Sequence, residues 1–244
     1  MDYKISIHHD DCAANPFKDW DCEPALIIGN NGYGHDDIEI YDVHNSHCLD
    51  IDYLIALTRE QVKDNQSTLT DLLGYSTLRR GIAARLRYKF SWQNYPDLLD
   101  AISESLLEIY TCSTLSKKLE MYKQLLSIHG VITLKACSYG YVQSDYCEFV
   151  VVATPEFLKT TGAVITEPDD LKSSVKLFNN WAWGNCYGYV IEKIDRCDKC
   201  DAEHLEAEDS CYGFYGDIEE NGMLENIPAE LHDQARKAFK NVIY

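Results

Sequence analysis

Between Tyr95 and Gly130 the apolar residues recur at helical spacing, and after Gly130 the period drops to two. "YPDLLDAISESLLEIYTC" sets Leu98, Leu99, Ile102, Leu106 and Ile109 on one face, with Pro96 near its start. "STLSKKLEMYKQLLSIHG" repeats the pattern at Leu115, Leu119, Tyr122, Leu125 and Leu126, and Gly130 ends it. Two amphipathic helices with a short joint predict an antiparallel pair. The runs "VITLKACSYG" (131–140) and "YCEFVVVATP" (146–155) then read as strands. A chain that switches period in this way must bury helical stripes against a sheet.

The flanks extend the pattern. "YKISIH" alternates and "PALIIG" is a more buried run, so both read as strands. Thr58 is placed to cap a helix over "REQVKDN". "PEFLKTTG", "PDDLKSSVKLFNNWAW" and "PAELHDQARKAFKN" are further helices, each opening on a proline, the second with acids in its first turn. "YGYVIEKID" (187–195) is a strand, with "SCYGFYG" (210–216) as its hairpin partner. Regular βαβ alternation is missing. The expectation is one α+β domain over 1–244, with a mixed or largely antiparallel sheet and a helical insertion at about 57–129. "GNNGYGHDD" follows a strand but has the glycine order G-x-x-G-x-G and leads into the extended "IEIYDVHN". A phosphate loop needs a helix N-terminus there, so the segment reads as a loop or hairpin turn.

Charge narrows the function. The chain carries 22 Lys+Arg against 40 Asp+Glu, a net of -18. Residues 1–58 and 201–230 each net -10, and the remainder nets +2. Direct nucleic-acid binding requires cationic patches. Arg79, Arg80, Arg85, Arg87 and Lys89 supply a local one, but the whole chain repels a polyanion. An acidic field instead draws in basic partners. The candidate partner-binding residues are Glu203, Glu206, Glu208, Asp209, Asp217, Glu219 and Glu220, with Tyr212 and Tyr215 beside them.

The stretch "CDKCDAEHLEAEDSC" offers a candidate structural zinc site from Cys197, Cys200, His204 and Cys211. Free thiols on a turn are the competing reading. A redox pair fits poorly beside so many acids. The other cysteines, Cys12, Cys22, Cys48, Cys112, Cys137 and Cys147, read as buried, inert thiols. Five early histidines, His8, His9, His35, His44 and His47, lie among Asp10, Asp11, Asp36, Asp37 and Asp42. They leave open a metal-dependent enzyme acting on nucleotides or nucleic acid, although the spacing matches no hydrolase signature. No nucleophile elbow, P-loop, zincin or deaminase motif occurs, so no catalytic residue is assigned and the chain reads as a binding protein rather than an enzyme.

"WDCEPALIIG" (20–29), "VVVATPEFLKTTGA" (150–163), "WAWGNCYGYVIE" (181–192) and "DSCYGFYGD" (209–217) resemble a family of uncharacterised proteins from phages and other mobile elements. The resemblance implies a setting inside a bacterial host and transfers no catalytic residue. Acidic proteins of that setting are often inhibitors of host nucleases or CRISPR complexes, some as DNA mimics. The expectation is therefore an anti-CRISPR or anti-restriction type inhibitor, cytoplasmic in the host cell. It would occupy the basic groove of a nucleic-acid-binding defence protein, with no membrane partner and no direct nucleic-acid contact. A phage structural or regulatory protein is the remaining alternative.

Overall fold

The computed structural model describes residues 2–30, 37–41, 49–64, 71, 74, 79–80, 95–139, 146–197, 200 and 202–242. In chain order the elements are β1 (Asp2–His9), α1 (Pro16–Asp19), β2 (Ala25–Asn30), β3 (Asp37–Tyr41), α2 (Ile51–Asp64), α3 (Tyr95–Thr111) and α4 (Leu115–Ile128). They continue with β4 (Ile132–Tyr139), β5 (Tyr146–Ala153), α5 (Pro155–Thr161), a 3-10 turn (Pro168–Leu171), α6 (Lys172–Ala182), β6 (Cys186–Arg196) and β7 (Glu203–Tyr215). The chain closes with α7 (Met223–Asn226), a 3-10 turn (Ala229–Leu231) and α8 (His232–Val242). All described strand pairs are antiparallel, in two sheets ordered β1-β6-β7 and β3-β2-β5-β4. This is an α+β protein. One domain was expected; Cα packing divides the chain into two compact units, Met1–Pro16 with Lys176–Tyr244, and Phe17–Val175.

The larger unit holds the four-stranded sheet and α2, α3 and α4. Ile27, Val150 and Val152 join Leu54, Val62, Ile102, Leu106, Leu119 and Leu125 in one core, all but inaccessible to water. The opposite parity of β2 and β5 is also buried, at Leu26, Ile28, Phe149 and Val151. That double burial explains the continuous apolar runs "ALII" and "FVVVA". Gly29 lets α4 approach: a Cβ there would lie 2.7 Å from Leu115 Cδ1 and 2.8 Å from Leu119 Cδ1. Gly130 ends α4 with φ 71, and Gly162 ends α5 with φ 67, as helix stops require.

One helix start differs from expectation. Thr58 lies inside α2, where its hydroxyl donates to the Leu54 carbonyl at 2.7 Å. The cap is Asp50, whose Oδ1 accepts the Asp52 N–H at 2.7 Å and whose carbonyl accepts the Leu54 N–H at 2.9 Å. The part of the expected helical insertion between residues 65 and 94 lies almost wholly outside the described residues.

The smaller unit packs α8 on the three-stranded sheet. Ile5, Ile7, Tyr187, Tyr189, Ile191 and Phe214 meet Leu231, Ala235 and Phe239, and Met223 and Ile227 fill the same core. The Tyr187 and Phe239 rings meet edge to face, with centroids 4.8 Å apart.

Candidate partner-binding hairpin

β6 and β7 form the expected hairpin, but β7 begins seven residues earlier than "SCYGFYG". The tip is closed by the Cys197 N–H to the Ala202 carbonyl, 3.0 Å. From there the register runs Arg196↔Glu203, Asp195↔His204, Lys193↔Glu206 and Ile191↔Asp209, with a bulge that leaves Glu208 unmatched. Odd-numbered residues of β6 (Tyr187, Tyr189, Ile191) face the core. The even-numbered ones (Gly188, Val190, Ile194) face the other way, as strand alternation demands.

β6 sinks into the core at its start and surfaces at its end. β7 does not: Glu203 to Ser210 are all exposed. The fold therefore presents a long acidic strand on the edge of a sheet. The segment Cys186–Tyr215 carries eight acids against Lys193, Arg196 and Lys199. Two of those cations stand across from β7 acids. Arg196 pairs with Glu203 at 3.0 Å, and Lys193 sits in register opposite Glu206. Asp209 accepts from the Tyr189 hydroxyl at 3.0 Å. Burial first, and then the Asp209 contact, pushes the Tyr189 phenol up to about 12. Glu208, on the bulge, is exposed and has no residue opposite it on β6.

The expected partner-binding set divides. Glu203, Glu206, Glu208, Asp209 and Tyr212 share the β7 edge. The others do internal work. Glu219 binds Arg236 on α8 through both oxygens, at 2.6 and 3.3 Å, and the guanidinium holds its carboxyl below the usual range. Glu220 pairs with Lys176. Asp217 Oδ1 accepts the Glu219 N–H at 2.9 Å, and the Tyr215 hydroxyl donates to the Ala14 carbonyl at 2.7 Å. Tyr215, Glu219 and Glu220 tie this region to the rest of the unit, and Asp217 braces the turn itself.

The candidate zinc ligands divide as well. Cys197 and Cys200 lie at the tip and His204 enters β7 beside them, but Cys211 pairs with Tyr189 further along the hairpin. Seven residue steps along the strand separate His204 from Cys211, about 23 Å at the usual rise. The register thus removes Cys211 from the tip. Among the described residues no group of three or more His, Cys, Asp or Glu side chains could hold a metal ion. Of the histidine-rich N-terminus, His8 Nε2 lies 2.9 Å from Ser6 Oγ, and His9 lies against Tyr187 with Nε2 3.3 Å from the Val242 carbonyl. Asp10 accepts the Cys12 and Gly213 N–H groups at 3.2 and 3.1 Å. His35, His44, His47, Asp36 and Asp42 lie outside the described residues. Cys12, Cys22 and Cys112 were expected to be buried and are exposed. Among the cysteines whose burial is described, Cys186 is the buried one, its thiol pushed up to about 12 by burial and then by Asp10.

Sequence reasoning missed Leu205, which is 43% exposed on β7, and the first half of that strand. The available signal was length: an 11-residue β6 needs a partner of similar reach. No helix among the described residues is long and apolar enough to cross a membrane. No protein-family model, curated protein or solved structure matches the chain.

Proposed function

We propose that the chain is a binding protein of a mobile genetic element. It acts in a bacterial cell by docking its acidic β6–β7 hairpin on a basic, nucleic-acid-binding surface of a host defence protein, in the manner of an anti-CRISPR or anti-restriction inhibitor. The observation that carries this reading is the run Glu203–Ser210, exposed throughout and holding four acids and no Lys or Arg. Such a strand steers a cationic partner toward the β7 edge of its sheet. Tyr212, half exposed at the inner end of the run, supplies an aromatic anchor.

Magnitudes set the style of docking. Four acids over the roughly 20 Å from Glu203 to Asp209 give about one charge per 5 Å. Duplex DNA carries one per about 1.7 Å. The hairpin is a sparse anion, so it competes by filling part of a basic groove rather than by copying the phosphate lattice.

The test is capture from a bacterial lysate treated with nuclease. The wild-type chain retains a nucleic-acid-binding protein at low salt, added DNA displaces it, and the E206K/E208K double variant loses it. Equal capture by the variant, or capture indifferent to salt and DNA, overturns the reading.

A further inference from the structure

The ladder of the smaller sheet fixes which backbone groups of β7 remain open. The Asp10 N–H binds the Cys186 carbonyl at 2.8 Å, in phase with the β1–β6 register, so the even-numbered residues of β6 hydrogen-bond to β1. The odd-numbered ones are left for β7. The Cys197 to Ala202 and Gly216 to Asn185 bonds, 3.0 and 2.8 Å, confirm that phase at both ends of the hairpin. His204 and Glu206 therefore spend their N–H and C=O groups on β6. Glu203, Leu205 and Ala207 turn theirs to the outer edge, and among the described residues β7 pairs only with β6.

We propose that this edge is a strand-addition site for an extended, lysine- or arginine-bearing segment of a partner protein. The inference rests on the proposed function and names the form its partner takes. Three features converge on the stretch Glu203–Tyr212. The outward groups of Glu203, Leu205 and Ala207 offer main-chain bonds in β-augmentation geometry. Leu205 and Tyr212 lie on the sheet face away from α8, since they stand across from Ile194 and Gly188, and are 43% and 50% exposed. They can receive alternate side chains of an added strand. Glu206 and Glu208 bring the charge that selects a cationic one. The same acids oppose a second copy of this chain in the register centred on Glu206, where antiparallel β7–β7 pairing sets Glu203 against Asp209 and Glu206 against itself.

The experiment uses the full chain and a probe peptide, acetyl-(Lys-Val)4-amide, with an analogue methylated on alternate backbone nitrogens. The analogue keeps every charge and loses one edge of donors. The expected result is that the plain peptide binds and the methylated one binds at least about tenfold more weakly, the cost of buried carbonyls left unmatched. Adding E206Q/E208Q weakens both peptides and flattens the salt dependence. Equal affinity of the two peptides overturns strand addition while leaving electrostatic docking standing. Failure of both peptides, with lysate capture still sensitive to E206K/E208K, also overturns strand addition. Loss of both binding and capture overturns the two readings together. Self-association through β7, seen as a dimer that E206Q/E208Q strengthens, would replace the partner segment with a second copy and overturn the proposal.

Discussion

Tyr212 lies across Gly188 of the neighbouring strand, so close that a Cβ on Gly188 would sit 2.1 Å from Tyr212 Cδ1. The glycine lets an aromatic ring cover the strand backbone at the inner end of the acidic edge. Gly188→Ala must push the ring aside, at a cost of about 1–3 kcal/mol. In the Tyr212→Ala background the same change costs little. A denaturant double-mutant cycle measures the coupling. Additive effects would contradict the contact.

Gly29 has the same relation to α4. Gly29→Ala drives a methyl into Leu115 and Leu119, with an expected loss of about 1–3 kcal/mol. Leu119→Ala would recover part of it, because the two changes share one space. Urea unfolding of the three variants decides; a neutral Gly29→Ala would mean that α4 does not press on β2.

The Thr58 hydroxyl donates to the Leu54 carbonyl, so it receives the Nε2 proton of His129 at 2.9 Å. His129 Nδ1 then carries no proton and is buried without a partner. Burial lowers the His129 pKa from its ordinary 6.5. The folded state therefore resists protonation. Its contribution to stability is complete above pH 6.5, falls as the pH drops below that value, and levels off below the depressed folded pKa. Stability measured from pH 8 to 5 should fall more steeply for wild type than for His129→Gln. Parallel curves would contradict the assignment.

Thiol chemistry separates the cysteines. At pH 8 a thiol with a pKa of about 12 is roughly one part in ten thousand thiolate, so Cys186 should escape alkylation in the native protein. Cys12, Cys22, Cys112 and Cys200 are exposed and should react first. Peptide mass mapping after brief iodoacetamide treatment reads the order. Early labelling of Cys186 would contradict its burial.

The helices and buried strands were legible because their signals are local. The stripes of α3 and α4 and the runs "ALII" and "FVVVA" each bury apolar side chains at a period the chain displays. The first half of β7 was not, because "EHLEAEDS" has no buried face and so no alternation. It is a strand only because β6 supplies a ladder of hydrogen bonds. Thr58 misled for a related reason. A threonine before "REQ" resembles a cap, but its hydroxyl can equally bond back to a carbonyl one turn earlier. The fates of Glu219, Glu220 and Tyr215 depend on Arg236, Lys176 and Ala14, partners distant in sequence. Composition alone counted them with the acids of β7.

Amide hydrogen exchange along β7 tests the central claim most directly. In the free chain, Glu203, Leu205 and Ala207 should exchange fast while His204 and Glu206, bonded to β6, exchange slowly. Saturation with the lysine–valine peptide should slow the fast set and leave the slow set unchanged. Uniform protection of residues 203–207 in the free chain, or fast exchange at Glu203, Leu205 and Ala207 while the peptide stays bound, would contradict an open acidic edge that receives a basic strand.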